Sequence, residues 1–299
     1  LTEEGLLDAE RRRFNRFALV PSLIVLFVIA GLPALYLLAV SFTPFQLTEP
    51  GSATNFSSPL RNYRLLPGDP RFVNSLWVQA KLSFWGVLFQ VFLGMLLALL
   101  LNVPSRFVEF ARTFFLIPMV LPPIVVAVIW KLIYTPDISP LYYAANLLNI
   151  AMPSLTSSVD FALISIIIAD TWEWLPFTFL MVLAALQTIP DEFSEAALVD
   201  GANAFQIFWY VTLPFIAPIL LISGMFRLID SVKAFPLIFL LTSGGPGSVT
   251  EVTNYYAYLL AFDGNEIGYS SAVTVVMLLL VAAVSLGLVW MGKRREGFA

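Results

Sequence analysis

Asp170 and Glu173, and further along Arg227, Asp230 and Lys233, are the residues whose types and spacing could do chemistry. Within each set the charges recur at i, i+3, so each set shares one face of a helix. Both sets interrupt apolar stretches, where a lone charge at a bilayer centre costs about 2.5–3.5 kcal/mol and needs a partner or water. Arg227–Asp230 and Asp230–Lys233 are opposite-charge pairs, whereas Asp170 and Glu173 repel and need cations nearby. Trp172, Trp174 and Phe226 are interleaved with them. Such a set suits a polyhydroxylated ligand: carboxylate and guanidinium groups bond hydroxyls, and an indole face stacks on ring C–H groups. It equally suits an ion-pair network that joins two subunits and touches no ligand. A third use is a carboxylate that carries a coupling proton. The residues alone leave all three open.

Composition closes most other chemistries. The chain has no Cys and no His. Disulfides, thiolate nucleophiles, Fe–S clusters, imidazole bases and the usual zinc and haem ligands are therefore excluded. No metal site and no catalytic set is expected, and a membrane-embedded enzyme using the paired acids is disfavoured. Sixteen Lys plus Arg against twenty Asp plus Glu give a formal charge of −4 and no basic face for nucleic acid. Hydrophobic residues make up 59% of the chain and charged ones 12%. Soluble domains carry about a quarter charged residues, so a chain this apolar needs membrane lipid as its solvent.

The elements that must position the charges follow from hydropathy. The expectation is an all-α integral membrane protein with about six transmembrane helices, at 17–42, 76–102, 114–134, 160–189, 211–241 and 268–291. A cytoplasmic N-terminal segment, 1–16, precedes this transmembrane domain of 17–291, and a cytoplasmic tail, 292–299, follows it. Three prolines in the third span, Pro118, Pro122 and Pro123, predict kinks. The basic residues set the orientation. Nine lie on the N-in, C-in inner side, among them Arg11, Arg12, Arg13, Arg16, Arg106 and Arg112, against Arg61, Arg64 and Arg71 outside. If Asp160 opens the fourth span, Trp172 lies about 12 residues in, roughly 18 Å at 1.5 Å per residue. If Leu241 closes the fifth, Asp230 lies about 11 residues in, at nearly the same depth. The five charges then form one layer near the midplane. Tyr142, Tyr143 and the tyrosines at 255–258 are expected at the interface as anchors.

The connection 190–210 is cytoplasmic in this arrangement, yet it has no Lys or Arg and carries four acids. Pro190 opens a helix whose first turns hold Asp191, Glu192 and Glu195, where acids suit the N-terminal dipole. Ala196 and Ala197 are small enough for close approach by another surface. Gly201 can adopt the positive φ that ends the helix. A second amphipathic piece with Phe205, Phe208 and Trp209 leads to Leu213-Pro214.

Glu195-Ala196-Ala197, Asp200-Gly201-Ala202, Val211, Leu213-Pro214 and Pro218, at these spacings, resemble the EAA loop of binding-protein-dependent, MetI-like ABC importer permeases. The resemblance implies that this loop is a coupling helix seated in a cleft of a separate cytoplasmic ATPase. Glu195, Ala196, Ala197, Asp200, Gly201, Leu213 and Pro214 would then be the coupling residues. ATP and magnesium would sit on that partner, since this chain lacks a Gly-rich loop ending in Gly-Lys-Ser/Thr. Downstream, Arg227 to Lys233, Phe235, the run Leu241-Thr-Ser-Gly-Gly-Pro246, and Thr250 to Phe262 are similar to the maltose-type carbohydrate-uptake permeases. That implies import of a sugar, sugar alcohol or related glycoside through a bacterial inner membrane by alternating access. The implied partners are a second homologous permease, two ATPase copies and an extracytoplasmic solute-binding protein. Trp172, Glu173, Trp174, Phe226, Arg227, Asp230 and Lys233 would be the substrate-binding set. One departure stands out: Pro236 occupies a place where those relatives often have an acid.

Overall fold

The structure, a computed structural model, describes residues 19–103 and 105–296. The basic cluster at 11–16 and the end of the expected tail lie outside them. Among the described residues the chain is helical without a strand, apart from one isolated bridge between Gln46 and Glu49. Two compact units divide it. One holds residues up to Gly68 together with 257–275; the other holds 69–256 and the residues from 276 onward.

In the first unit, α1 (Leu19–Ser41) is 23 residues long. Most of its side chains are exposed, Ile29 at 70%, as expected for a helix solvated by lipid. Pro33 cannot donate to the turn before it, and the helix adjusts with a π turn at Phe27–Gly31. The loop that follows is pinned to its end. Asn62 Nδ2, from the short α2 (Arg61–Leu65), donates to the carbonyls of Ser41 (3.0 Å) and Thr43 (2.8 Å).

In the second unit, α3 (Pro70–Leu100) starts where Asp69 caps the amides of Arg71 (2.9 Å) and Phe72 (3.2 Å), with Pro70 at the first position. A surface helix, α4 (Arg106–Phe115), and a single turn, α5 (Ile117–Val120), follow. The third span was expected to be one kinked helix. Instead the chain breaks at Leu121-Pro122, and α6 (Pro123–Tyr134) leaves at 100° to the helix before it. Leu121 precedes a proline and is driven out of the helical region, to ψ 139°.

A short α7 (Pro140–Leu147) leads to α8 (Ala162–Leu186), which is largely buried and contains Pro176. Then come α9 (Asp191–Val199) and α10 (Ala204–Ser231), the latter continuous over 28 residues. The expected fifth span, 211–241, is corrected at both ends. Its helix starts at 204, and it stops at Ser231 before a separate α11 (Phe235–Leu241). The stop has a covalent cause. In a continuous helix the amide of residue 236 would bond to the carbonyl of Val232, but Pro236 has no N–H. Asn254 Nδ2 donates to that carbonyl instead, at 2.6 Å.

The remaining helices are α12 (Thr253–Tyr258) and α13 (Ile267–Glu296). Among the described residues, five helices, α1, α3, α8, α10 and α13, are long and apolar enough to cross a membrane, or six if the bent pair ending in α6 is one span. The core of the second unit joins α3, α8 and α10 through Ala98, Phe179, Val182, Leu183, Leu186 and Ile216. At Gly94 α3 comes so close to α8 that a Cβ would sit 2.8 Å from Thr178 Cβ and 3.0 Å from the Phe179 amide nitrogen.

Candidate functional site

Arg227 is the centre of the charge cluster. It projects from α10 and is 2% exposed. Its Nη1 donates to Asp230 Oδ2 at 2.7 Å, and Nη2 lies 3.5 Å from Asp170 Oδ2 on α8. The guanidinium carbon stands 4.3 Å from the centroid of the Trp174 ring. Lys233 Nζ, just past the end of α10, reaches Asp230 Oδ1 at 3.0 Å and is otherwise well exposed. Two cations therefore share Asp230, and Arg227 also compensates Asp170. A low-dielectric site requires such pairing.

A cavity of about 380 Å³ opens beside this cluster. It is lined by Trp174, Phe177, Phe226, Ile229, Arg227, Asp230 and Lys233. Phe226 meets Phe177 edge-on, with centroids 6.3 Å apart. The lining is thus part aromatic and part ionic.

Two expected members stand elsewhere. Trp172 makes a T-shaped contact with Trp130 of α6 at 5.9 Å and does not line the cavity. Residues two apart on an α-helix point about 200° apart, so Trp172 and Trp174 cannot serve one face. Glu173 is 2% exposed and has no hydrogen bond or ion pair among the described residues. Of the acidic pair, it is Asp170 that makes a direct ion pair with Arg227.

The connection after α8 forms the second candidate site. In α9, Pro190 is the N-cap and Asp191 and Glu192 lie in the first turn. Glu195 and Ala196 face solvent and Ala197 is half-buried. Asp200 closes the helix, and Gly201 adopts φ 81° to turn the chain. Asn203 and Gln206 then form a reciprocal capping box at the start of α10. Leu213-Pro214, expected where a separate span begins, lies within that continuous helix. The element rests on the bundle through Phe193 and Phe215, whose rings are 5.2 Å apart. It exposes Leu198 (60%), Val199 (88%), Phe205 (71%) and Tyr210 (79%) beside its acids. The element thus presents an apolar surface rimmed with charge.

The expected interfacial tyrosines are corrected in part. Tyr142 is buried and its hydroxyl donates to the carbonyl of Pro153 at 2.9 Å. Tyr256, also buried, donates to Asp69 Oδ2 at 2.6 Å. Both hold loops in place.

Two features were missed in the sequence. Gln90 of α3, fully buried, donates to Asp170 Oδ2 (2.7 Å) and accepts from Arg227 Nε (2.7 Å). Its signal was the spacing Gly86, Gln90, Gly94, an amide between two glycines on one face of an apolar helix. Arg71 and Glu251, 180 residues apart, form a two-pronged pair at 2.7 and 2.6 Å. No local pattern links them.

Long apolar helices, a charge cluster beside a cavity within them, and an exposed acidic helix are features of a multi-pass membrane protein. Residues 90–297 match the family described as binding-protein-dependent transport system inner membrane component, and this chain belongs to that family. A probable ABC transporter permease of Sinorhizobium fredii is 36% identical over 96% of this chain and 94% of its own length. The trehalose/maltose transport system permease of Thermococcus litoralis is 32% identical over 79% of this chain and 80% of its own. Among solved structures, a bacterial ABC transporter involved in import of the acidic polysaccharide alginate gives a TM-score of 0.84 at 21% identity, covering 98% of this chain and 99% of that one. At that identity the likeness is one of fold. Family membership leaves the proton-coupled reading without support.

Proposed function

We propose that this chain is one permease subunit of an ATP-driven importer for a sugar, sugar alcohol or related glycoside. The observation that carries the substrate class is the cavity wall in which Trp174 lies under the Arg227 guanidinium beside Asp230 and Lys233. The relative from Thermococcus litoralis, a trehalose/maltose permease, supports it.

The chain would hydrolyse nothing itself. ATP and magnesium would belong to two copies of a cytoplasmic ATPase that receives α9, with Glu195 at a basic residue, Ala196 and Ala197 allowing close contact, and Asp200-Gly201 making the turn. A second homologous permease would complete the pathway, and an extracytoplasmic binding protein would deliver the sugar. Alternating access follows if ATPase closure moves α9 and, through the continuous α10, the wall that bears Arg227.

The test is uptake of radiolabelled trehalose and maltose by cells expressing the intact importer. Uptake that stops on ATP depletion and survives collapse of the proton gradient supports the reading. Uptake that follows the gradient and ignores ATP sinks it.

A further inference from the structure

Gln90 accounts for the placement of Arg227. The side chain is fully buried on α3, and each end of its amide has a different task. Oε1 accepts from Arg227 Nε at 2.7 Å. Nε2 donates to Asp170 Oδ2 at 2.7 Å and to the Asp170 carbonyl at 3.2 Å. Arg227 Nη2 stands 3.5 Å from the same Asp170 oxygen, so the three side chains close a ring across α3, α8 and α10. Gly86, one turn before Gln90, leaves room for the carboxylate: a Cβ there would lie 3.2 Å from Asp170 Oδ2. At Gly94, one turn after, α3 lies so close to α8 that a Cβ would meet Thr178 Cβ at 2.8 Å. The amide is thus held at both ends by hydrogen bonds, to Arg227 at one and Asp170 at the other.

We propose that Gln90 is a positioning residue for the ligand cavity. It touches neither cavity nor ligand; it holds the guanidinium plane over Trp174 and keeps Asp170 from drawing Arg227 into a direct, closer pair. An amide suits this task because it is donor and acceptor at once, with no charge of its own. Leu would leave Nε of Arg227 and an Asp170 oxygen unsatisfied. Glu would accept from Arg227 but put a carboxylate against Asp170. This inference rests on the cavity reading proposed above.

The directionality supplies the test. Gln90→Glu with Asp170→Asn exchanges amide and carboxylate across the same contact and keeps the total charge. The intact importer, with ATPase, second permease and binding protein, is assayed for trehalose and maltose uptake per assembled complex and for ATPase co-purification. Gln90→Leu, Gln90→Glu and Asp170→Asn alone are each expected to lower uptake about tenfold or more, as loss of a buried charge-assisted hydrogen bond implies, while the ATPase still co-purifies. The exchanged pair is expected to recover uptake to within about threefold of the parent, the residue being imperfect packing. Normal uptake by Gln90→Leu overturns the proposal, as does an exchanged pair no better than the worse single variant. Loss of ATPase co-purification in all the single variants also overturns it, because the ring is then only a brace. Trp174→Ala tests the cavity reading separately: if it transports normally, that reading fails whatever the exchanged pair does.

Discussion

The guanidinium of Arg227 stands 4.3 Å from the Trp174 ring, while Trp172, two residues earlier, packs on Trp130. Two neighbouring tryptophans therefore have different work. A desolvated cation–π contact contributes about 2 kcal/mol, and Trp174 also forms part of the cavity wall. Trp174→Ala should lower uptake about tenfold or more. Trp172→Ala removes an edge-to-face contact of about 0.5–1.5 kcal/mol, so its main effect should be a lower melting temperature. Melting curves and uptake on the same purified complexes separate the two. Equal effects of both variants on both readouts would contradict the assignment.

That division shows which parts of the site the sequence carried. Helical i, i+3 spacing was enough to pair Arg227, Asp230 and Lys233, because those contacts are local. It could not choose between Trp172 and Trp174, since the choice depends on which side of α8 faces α10. Gln90 was invisible for the same reason: its partners lie 80 and 137 residues away. The break after Ser231 was legible in principle, as Pro236 removes one specific hydrogen bond. Residue counting across the expected span overrode that signal.

Glu195 is exposed on α9, and Gly201 holds φ 81° at its end. Gly201→Val puts a β-branched side chain in that region, which costs roughly 1–2 kcal/mol and would redirect the chain entering α10. Glu195→Lys reverses a charge without disturbing any packed neighbour. Both variants are expected to reach the membrane, and both should hydrolyse ATP without matching uptake. The ratio of sugar imported to phosphate released measures this. A parental ratio in both would remove α9 from the coupling path.

Gly94 sets the spacing of α3 against α8. Its Cβ would meet Thr178 at 2.8 Å and backbone at 3.0 Å, whereas Gly287 on α13 has nothing within 4 Å. Overpacking of this kind costs about 1–3 kcal/mol. Gly94→Ala should lower the melting temperature of the detergent-solubilised complex. Gly287→Ala should leave it unchanged or raise it slightly, since alanine is the better helix former. The opposite order would mean that α3 and α8 are not as close as described.

Arg71 and Glu251 tie the Gly-rich segment after α11 to the first turn of α3. The Glu251 carboxylate is almost fully buried and receives both Nε and Nη2 of Arg71, whose own side chain is 53% exposed. Tyr256 lies under the guanidinium at 5.3 Å and bonds to Asp69, the residue that caps α3. Asn74 adds a bond to the Ser248 carbonyl at 2.8 Å. The contribution is unequal between the partners. Arg71→Ala leaves a carboxylate buried without its cation, a loss of about 1–3 kcal/mol after allowance for the solvent that already reaches Arg71. Glu251→Gln keeps the shape and one acceptor, and should cost less. Limited proteolysis of residues 242–256 reads this directly, because cleavage follows the open population when opening is fast. Arg71→Ala should raise the cleavage rate about fivefold or more, and Glu251→Gln by less. The exchange Arg71→Glu with Glu251→Arg should recover only part of the protection, since arginine is larger than the buried glutamate it replaces. Unchanged cleavage in Arg71→Ala would show that Asn74 and Tyr256 hold the segment without the ion pair.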